Sequence, residues 1–243
     1  MWTGAGVAIR TQFQTLAATR GTRALFYGSI VGIGAVLVGV LAGQLPAHTI
    51  TDLRVFALIP GVAVTSVLVA EVPIRDGLSR RTLLHLLLGP VDRFVLAIVR
   101  TLLCSVLVFV FLGAVQLTLA LAAGLGVDVT LRELLACLLG SLAYMSVFSL
   151  VHLYTKHGLV TGLIVYLAAD HFIGQVPFAL RQIALSAHVA NIAGHEHAIT
   201  IGGLLATENM SITGSIVLLV VVAVLCFGLM ARAFSKRDLA ELC

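Results

Sequence analysis

Two adjacent ionisable residues, Asp170 and His171, interrupt an apolar stretch that begins at Gly158. In a membrane-spanning helix they would lie about 18 Å from Gly158 at 1.5 Å per residue, past the middle of the hydrocarbon core. An ionisable pair at that depth is costly in lipid and should face a cavity or a partner side chain, so it could line a path for a transported molecule. If the span ends earlier, the pair is only interfacial.

Histidines form the second candidate group, because His188, His195 and His197 follow within one segment. Imidazole binds zinc and copper, so a metal site is one interpretation. His195 and His197 would share a face only in an extended strand, however, and the segment is rich in Gly and polar residues. We therefore expect exposed loop histidines and no metal ligands.

Motifs for common hydrolytic chemistry do not occur in the sequence. It contains neither Gly-x-Ser-x-Gly nor His-Glu-x-x-His. A nucleotide-binding phosphate loop requires G-x-x-x-x-G-K-[ST], and neither of the two lysines, Lys156 and Lys236, lies in such a pattern. We expect that the chain is not itself an enzyme and that any ATP-driven step needs a partner.

The composition of the chain indicates the environment in which these residues lie. Of the 243 residues 60% are hydrophobic and only 11% are charged, and the mean hydropathy is +1.10. A soluble protein carries about a quarter charged residues, so this composition excludes a soluble globular protein and predicts a multi-pass membrane protein. Three of the four cysteines lie in apolar runs and the fourth is the last residue, which favours small buried side chains over disulfides or metal ligands.

Six apolar runs are candidate spans, because a helix needs about 20 apolar residues to cross the bilayer. The second is short and contains Pro60, which we expect to break it. The predicted bounds are Ala24–Leu45, Val55–Ala70, Phe94–Gly124, Leu134–Tyr154, Gly158–Leu180 and Ile212–Ala233.

Basic residues are distributed unequally between the two sides of these spans. Twelve of the 15 Lys and Arg fall on one side, and only Arg54, Arg132 and Arg181 fall on the other. The positive-inside rule therefore predicts cytoplasmic termini and an even number of spans. Residues 7–22 have apolar positions at helical spacing, which is typical of an interfacial helix, although an ordinary basic flank is the alternative interpretation.

The segment of residues 72–92 lies between the second and third spans on the predicted cytoplasmic side. Pro73 and Gly77 disfavour helix continuation, and Gly89 and Pro90 would end a short helix before the next span. Its leucines are too few to cross a membrane, so we expect them to dock on a partner protein. The alternative is that they only seat the loop at the lipid surface.

The run Thr82-Leu83-Leu84-His85-Leu86-Leu87-Leu88-Gly89-Pro90-Val91-Asp92-Arg93 resembles the loop of ABC-2 type transporter permeases that reads roughly G-T-L-E-x-L-L-x-x-P-V-S-R. The ending Phe234-Ser235-Lys236-Arg237-Asp238-Leu239 is similar to the basic ending of such permeases. Arg81 stands where the family has Gly, and Leu84 stands where it has an acidic residue. The resemblance implies a coupling helix that contacts a separate ATPase subunit through Arg80, Arg81, Thr82, Leu83, Leu84, Leu86 and Leu87.

The resemblance also implies a homodimer in which the first and fifth spans meet. Candidate interface glycines occur in both spans, in Gly-x-x-x-Gly spacings that allow close helix contact, although packing within one chain is the alternative. They are Gly28, Gly32, Gly39, Gly43, Gly158 and Gly162. For residues 177–211 the resemblance implies short re-entrant helices at the outer face.

The sequence thus predicts an all-α membrane domain of six helices over residues 1–243. The resemblance implies the permease subunit of an ATP-driven exporter in a bacterial inner membrane, with ATP and Mg bound by the partner ATPase and no cofactor in this chain. No nucleic-acid partner is expected, because the basic residues flank apolar spans and suit an anionic lipid surface. The rival interpretations are a metal-binding membrane enzyme and a non-transporting anchor for a cytoplasmic protein.

Overall fold

The computed structural model describes residues 39, 46–72, 92–155, 157–175, 179–195 and 210–236. Every element in these residues is helical, and no strand occurs among them. Four helices are long and apolar enough to cross a membrane. They are α1 (Ala47–Val69), α2 (Arg93–Ala122), α3 (Val127–Tyr154) and α7 (Ile212–Lys236). The described chain therefore has the all-α architecture of a multi-pass membrane protein.

Shorter helices fill the interval between α3 and α7. Helix α4 (Gly158–Val165) continues directly into a π-helical turn (Tyr166–His171) and helix α5 (Phe172–Gln175). A 3₁₀ helix (Ala179–Ile183) and helix α6 (Leu185–Ala193) follow. Helix α6 is short but deeply buried, since every residue from Ser186 to Ala193 is shielded from solvent.

Two ends of the bundle can be distinguished. The upper end contains the turn between α2 and α3, where Gly124 adopts a left-handed conformation with φ of 65°. There the amide of Gly124 bonds to the carbonyl of Leu121, and the amide of Leu125 bonds to that of Ala120, which is the Schellman pattern that ends a helix. The lower end contains the turn between α3 and α4. By the positive-inside rule, the upper end is the predicted outer face.

Helix α3 is the centre of the bundle. It packs against α1, α2, α4, α6 and α7. The larger core surrounds its middle, where Tyr144 and Phe148 are almost fully buried. A smaller core near the lower end joins α2, α3 and α7 around Phe227 and Met230. The outer faces of the long helices, by contrast, expose large apolar side chains such as Val224, 65% exposed, as lipid-facing helices do.

Pro60 does not break the second predicted span, so that prediction was wrong. Helix α1 runs for 23 residues with Pro60 inside it. Proline removes one amide donor and crowds the carbonyl four residues earlier, which here belongs to Phe56. The next residue is Gly61, whose missing Cβ would lie 3.1 Å from that carbonyl oxygen. Glycine therefore leaves room for the displaced carbonyl, and packing in the bundle maintains the helix.

Two other predicted spans differ from the observed helices. Helix α3 begins at Val127, one full turn or more before the predicted Leu134, and therefore contains Arg132 and Glu133. The fifth predicted span, Gly158–Leu180, is not one regular α-helix, because the π-helical turn interrupts it. Its apolar part is shorter than the four spanning helices. The bounds of α2 and α7, which contain no internal charge cluster, lie within three residues of the predicted ones.

Several predicted segments lie outside the described residues. These are the interfacial helix 7–22, the first span apart from Gly39, the interior of the loop 72–92, and residues 177–178 and 196–209 of the predicted re-entrant segment. Within residues 177–211 the structure describes 179–195, which contain the 3₁₀ helix and α6, and 210–211. The count of six spans stays a prediction.

Candidate functional site

Four polar side chains meet at the upper end, three from the long helices α1, α2 and α3 and one from the chain just after α6. We call them the Glu133 cluster: Arg54, Gln116, Glu133 and His195. Glu133 is fully buried and accepts a hydrogen bond from the Arg54 guanidinium on Oε1. The same oxygen accepts a bond from Nε2 of His195 at 2.8 Å. The amide of Gln116 donates to the Arg54 backbone carbonyl at 3.2 Å and approaches Oε2 of Glu133 at 3.5 Å.

The local structure explains how these four groups meet. Arg54 and Glu133 lie near the starts of α1 and α3, and Gln116 lies near the end of α2, so all three reach the same level of the bundle. His195 follows α6 directly. Gly194, with φ of 78°, ends α6 in a second Schellman pattern, in which the amide of His195 bonds to the carbonyl of Ala190 at 2.9 Å.

This arrangement compensates a charge that would otherwise be costly at this depth. An ionised carboxylate in an apolar interior requires a counter-charge and hydrogen bonds. Glu133 has a guanidinium, an imidazole and an amide around it. The cluster therefore connects α1, α2, α3 and the segment after α6, and its contacts are those of a structural tie.

A second group surrounds Asp170 on the π-helical turn, and we call Tyr144, Tyr166, Asp170 and Ser186 the Asp170 cluster. Asp170 is 8% exposed. Its Oδ2 accepts a hydrogen bond from the Tyr144 hydroxyl, and its Oδ1 accepts one from the Ser186 amide at 3.1 Å. The Ser186 hydroxyl donates to the Asp170 backbone carbonyl at 3.3 Å. Every donor that reaches the carboxylate in these bonds is neutral.

Close backbone approach and the π-helical turn create this geometry. A Cβ at Gly174 would lie 2.7 Å from the Ser186 hydroxyl oxygen, so only glycine lets α6 come this near. π-Helical turns are rare and occur frequently at functional sites, because the extra residue re-aims side chains. Tyr166 begins this turn and meets Tyr144 edge-on at 6.4 Å between ring centroids. His171, the other predicted pathway residue, contacts the Tyr166 ring at 5.8 Å.

A third polar group joins α6 to α7. His188 donates from Nε2 to the Gln182 carbonyl at 2.8 Å, which leaves Nδ1 to accept from the Ser215 hydroxyl at 3.0 Å. Asn191 donates to the same hydroxyl oxygen at 2.8 Å and to the Met210 carbonyl at 3.0 Å. These bonds give each ring nitrogen of the buried His188 a hydrogen-bond partner. The group therefore anchors α6 rather than offering a reactive side chain.

The prediction of exposed loop histidines was wrong for His188, which is 5% exposed. His195 is also largely shielded, with a side chain 15% exposed. Both histidines are held by partners from distant parts of the chain, which a local composition argument does not anticipate. Among the described residues no group of three metal-ligating side chains occurs, and His197 lies outside them.

Gly158 and Gly162 lie at the lower end and pack within the chain. A Cβ on Gly158 would lie 2.4 Å from the ring of His152, and one on Gly162 would lie 3.1 Å from Val67. These two glycines therefore admit α3 and α1 close to α4. The predicted dimer contact is not tested by these contacts and stays a prediction.

Other predicted site residues fall outside the described part of the chain. They comprise the whole coupling set (Arg80, Arg81, Thr82, Leu83, Leu84, Leu86 and Leu87) and three of the candidate interface glycines (Gly28, Gly32 and Gly43). Gly39 is helical and partly buried.

Sequence analysis missed the Glu133 cluster. Arg54 was assigned to the outer charge count, and Glu133 and Gln116 were not singled out. The available signal was one residue of each sign near the predicted outer ends of two spans, since ionisable groups inside a bundle tend to pair.

Comparison with known proteins does not identify a family for this chain. It matches no protein-family model, no curated protein and no solved structure.

Proposed function

We propose that this chain is the permease subunit of an ATP-driven exporter of the ABC-2 type, energised by a separate ATPase that binds the segment of residues 72–92. The single observation that carries the proposal is the leucine-rich sequence of that segment together with its place in the topology. Helix α1 ends at Val69 and α2 begins at Arg93, both at the lower end of the bundle. The intervening residues therefore join two spans on one side of the membrane.

Charge supports this side as the cytoplasmic one. Arg93, Arg232 and Lys236 lie at the lower end of α2 and α7. Basic residues collect on the cytoplasmic side of membrane proteins. A short apolar segment between basic flanks on that side suits a docking element, because its leucines cannot span the bilayer.

Buried ionisable side chains support transport over anchoring. An anchor needs only apolar helices, whereas this bundle contains a carboxylate at Asp170 without a charged donor among its described partners. Intramembrane ionisable residues are typical of pathways for cargo or ions. We infer a complex of two copies of this chain and two ATPase subunits in a bacterial inner membrane, with ATP and Mg bound by the ATPases and both termini of this chain cytoplasmic.

The experiment is affinity purification of the tagged chain from its native membrane, followed by measurement of ATP turnover. We expect an ATPase to co-purify, and we expect Leu83→Asp with Leu87→Asp to abolish both its retention and the turnover. A charge placed in an apolar docking face opposes its burial against the partner.

Two control variants separate docking from general damage. Leu83→Met with Leu87→Met retains the apolar surface and should retain the ATPase. Val127→Asp with Leu131→Asp has the same four-residue spacing and added charge on exposed positions of the upper end, 73% and 58% exposed, and should also retain it. Stoichiometric metal without an ATPase would instead support a membrane enzyme, and a partner whose turnover ignores cargo would support an anchor.

A further inference from the structure

Helix α7 leaves one of its sides uncovered by the described bundle. It packs against α2, α3 and α6, and its buried residues, from Ser215 to Phe234, lie on the side that faces these helices. On the opposite side Val221, Leu225 and Leu229 are exposed. Because they are spaced four residues apart, these three side chains form one row along the helix.

Two basic residues continue this row at the lower end of α7. Arg232 and Lys236 follow Leu229 by three and seven residues, so they share its face, and both are exposed. We call Val221, Leu225, Leu229, Arg232 and Lys236 the α7 row. Its upper part is apolar, and its lower part carries two positive charges one helical turn apart.

The two cations have no counter-charge among the described residues. Helix α7 contains no Asp or Glu, and neither Arg232 nor Lys236 forms an ion pair within the described part of the chain. At the neighbouring end of α2, Asp92 caps its own helix by accepting a bond from the Phe94 amide. The carbonyls at the end of α7 favour cations, but like charges one turn apart repel each other. An anion placed between them relieves that repulsion.

The dimensions of the α7 row match one leaflet of a bilayer. Val221 and Arg232 are about 16 Å apart along the axis at 1.5 Å per residue, and half of the hydrocarbon core is about 15 Å thick. An acyl chain that lies along the row therefore places its phosphate beside Arg232 and Lys236. A Cβ on Gly228, which borders the row, would meet no atom within 4 Å, so the surface is open there. A protein helix on the same surface would have to bury both cations, which is costly in desolvation.

We propose that the α7 row binds an anionic phospholipid from the leaflet at the lower end. The phosphate lies between Arg232 and Lys236, and an acyl chain lies along Val221, Leu225 and Leu229. Attraction of anionic lipid by a basic residue at the membrane surface corresponds to about fivefold in affinity for each Lys or Arg. The site requires only that α7 spans a membrane, and it does not depend on an ATPase partner.

The test measures which lipid contacts the α7 row in the full chain in nanodiscs. Trp2→Phe removes the only tryptophan of the chain, and Leu229→Trp places a fluorescent reporter in the row. Quenching by brominated phosphatidylglycerol is compared with quenching by brominated phosphatidylcholine over a range of mole fractions. We expect phosphatidylglycerol to associate about fivefold or more tightly at this position. Arg232→Gln with Lys236→Gln should remove this preference, whereas Arg232→Lys, which keeps the charge, should retain most of it.

A second reporter tests whether the preference is local to α7. Leu102→Trp, in the same Trp2→Phe background, lies on the exposed face of α2. The residues below it on that face, Ile98 and Val95, are apolar, so no basic side chain continues this row. We expect both lipids to quench this reporter equally, and a preference as large as that at position 229 overturns the proposal.

Carboxylates of the chain itself are tested by Asp238→Asn with Glu241→Gln. The proposal predicts the same preference at position 229 before and after this change, and a preference that appears only after it overturns the proposal. Equal quenching by both lipids at position 229, or a preference that survives neutralisation of both cations, also overturns it. Loss of the preference in inorganic phosphate would assign the cations to a free anion, and absence of quenching by either lipid would assign the row to a protein contact, so each of these results refutes the lipid site.

Discussion

Removal of both members of the Arg54–Glu133 pair should destabilise the bundle by less than the sum of the two single removals. Glu133→Gln preserves size and the bond from His195, but its new NH2 group cannot accept from Gln116, and the guanidinium of Arg54 is left buried without its carboxylate. Arg54→Met leaves the carboxylate of Glu133 buried without the guanidinium of Arg54. Breaking one side of a buried pair costs about 3–5 kcal/mol, because an uncompensated charge remains in the interior.

The double variant Arg54→Met with Glu133→Gln removes both charges. Replacement of a buried ion pair by neutral groups is often nearly neutral, so the double variant should be more stable than the two single effects predict. The two residues belong to one network, and we expect a coupling free energy of about 2–3 kcal/mol. The magnitude follows from burial, since Arg54 is 4% exposed and Glu133 is fully buried.

The assay is denaturant unfolding of the four proteins of this cycle in mixed micelles, followed by circular dichroism. Arg132→Met is the control, because Arg132 is exposed and adjacent to Glu133 in sequence. That substitution should change the free energy of unfolding by less than about 0.5 kcal/mol. If both single variants cost less than about 1 kcal/mol and their effects add, the pair is not the buried tie described above.

Three further perturbations have defined expectations. Gly158→Ala should cost about 1–3 kcal/mol in unfolding free energy, because its Cβ would overlap the His152 ring, whereas Gly228→Ala meets nothing within 4 Å and should be neutral or stabilising; equal effects on the melting temperature would refute the packing argument. Gly194→Ala should lower the free energy of unfolding by about 1–2 kcal/mol through left-handed backbone strain alone, since its φ is 78° and a Cβ would meet no atom within 4 Å. Gly126→Ala, at φ of −63°, is the control, and equal melting temperatures of the two variants would contradict the strain at Gly194. Asn191→Leu should increase proteolysis in the segment between α6 and α7, because it removes two bonds between them, and an unchanged cleavage rate would show that these bonds are dispensable.

The sequence was sufficient for the elements whose signal is local. Long apolar runs with few charged residues predict the bounds of α2 and α7 to within three residues, because length and hydropathy alone decide whether a helix suits a bilayer. Pro60 shows the limit of such rules. Proline disfavours a helix interior in general, but Gly61 beside it and the surrounding bundle reverse that outcome.

The candidate sites are formed by contacts between residues that lie far apart in sequence. Arg54 and Glu133 are 79 residues apart, and Asp170 and Ser186 are 16 apart across a change of direction. A local pattern showed that Asp170 is ionisable and deep, but not that its donors are neutral. The early start of α3 was missed for the same reason, because Glu133 is tolerated within the helix only through its distant partner.

The central claim is that residues 72–92 contact an ATPase on the cytoplasmic side. A photoreactive amino acid at position 87, in place of Leu87, tests it in intact cells by cross-linking to whatever lies against that residue. The account predicts an adduct with a nucleotide-binding protein, lost when Leu83→Asp is added. Labelling of a cysteine at position 87 by a membrane-impermeant reagent from outside the cell, or adducts with lipid alone, would contradict it.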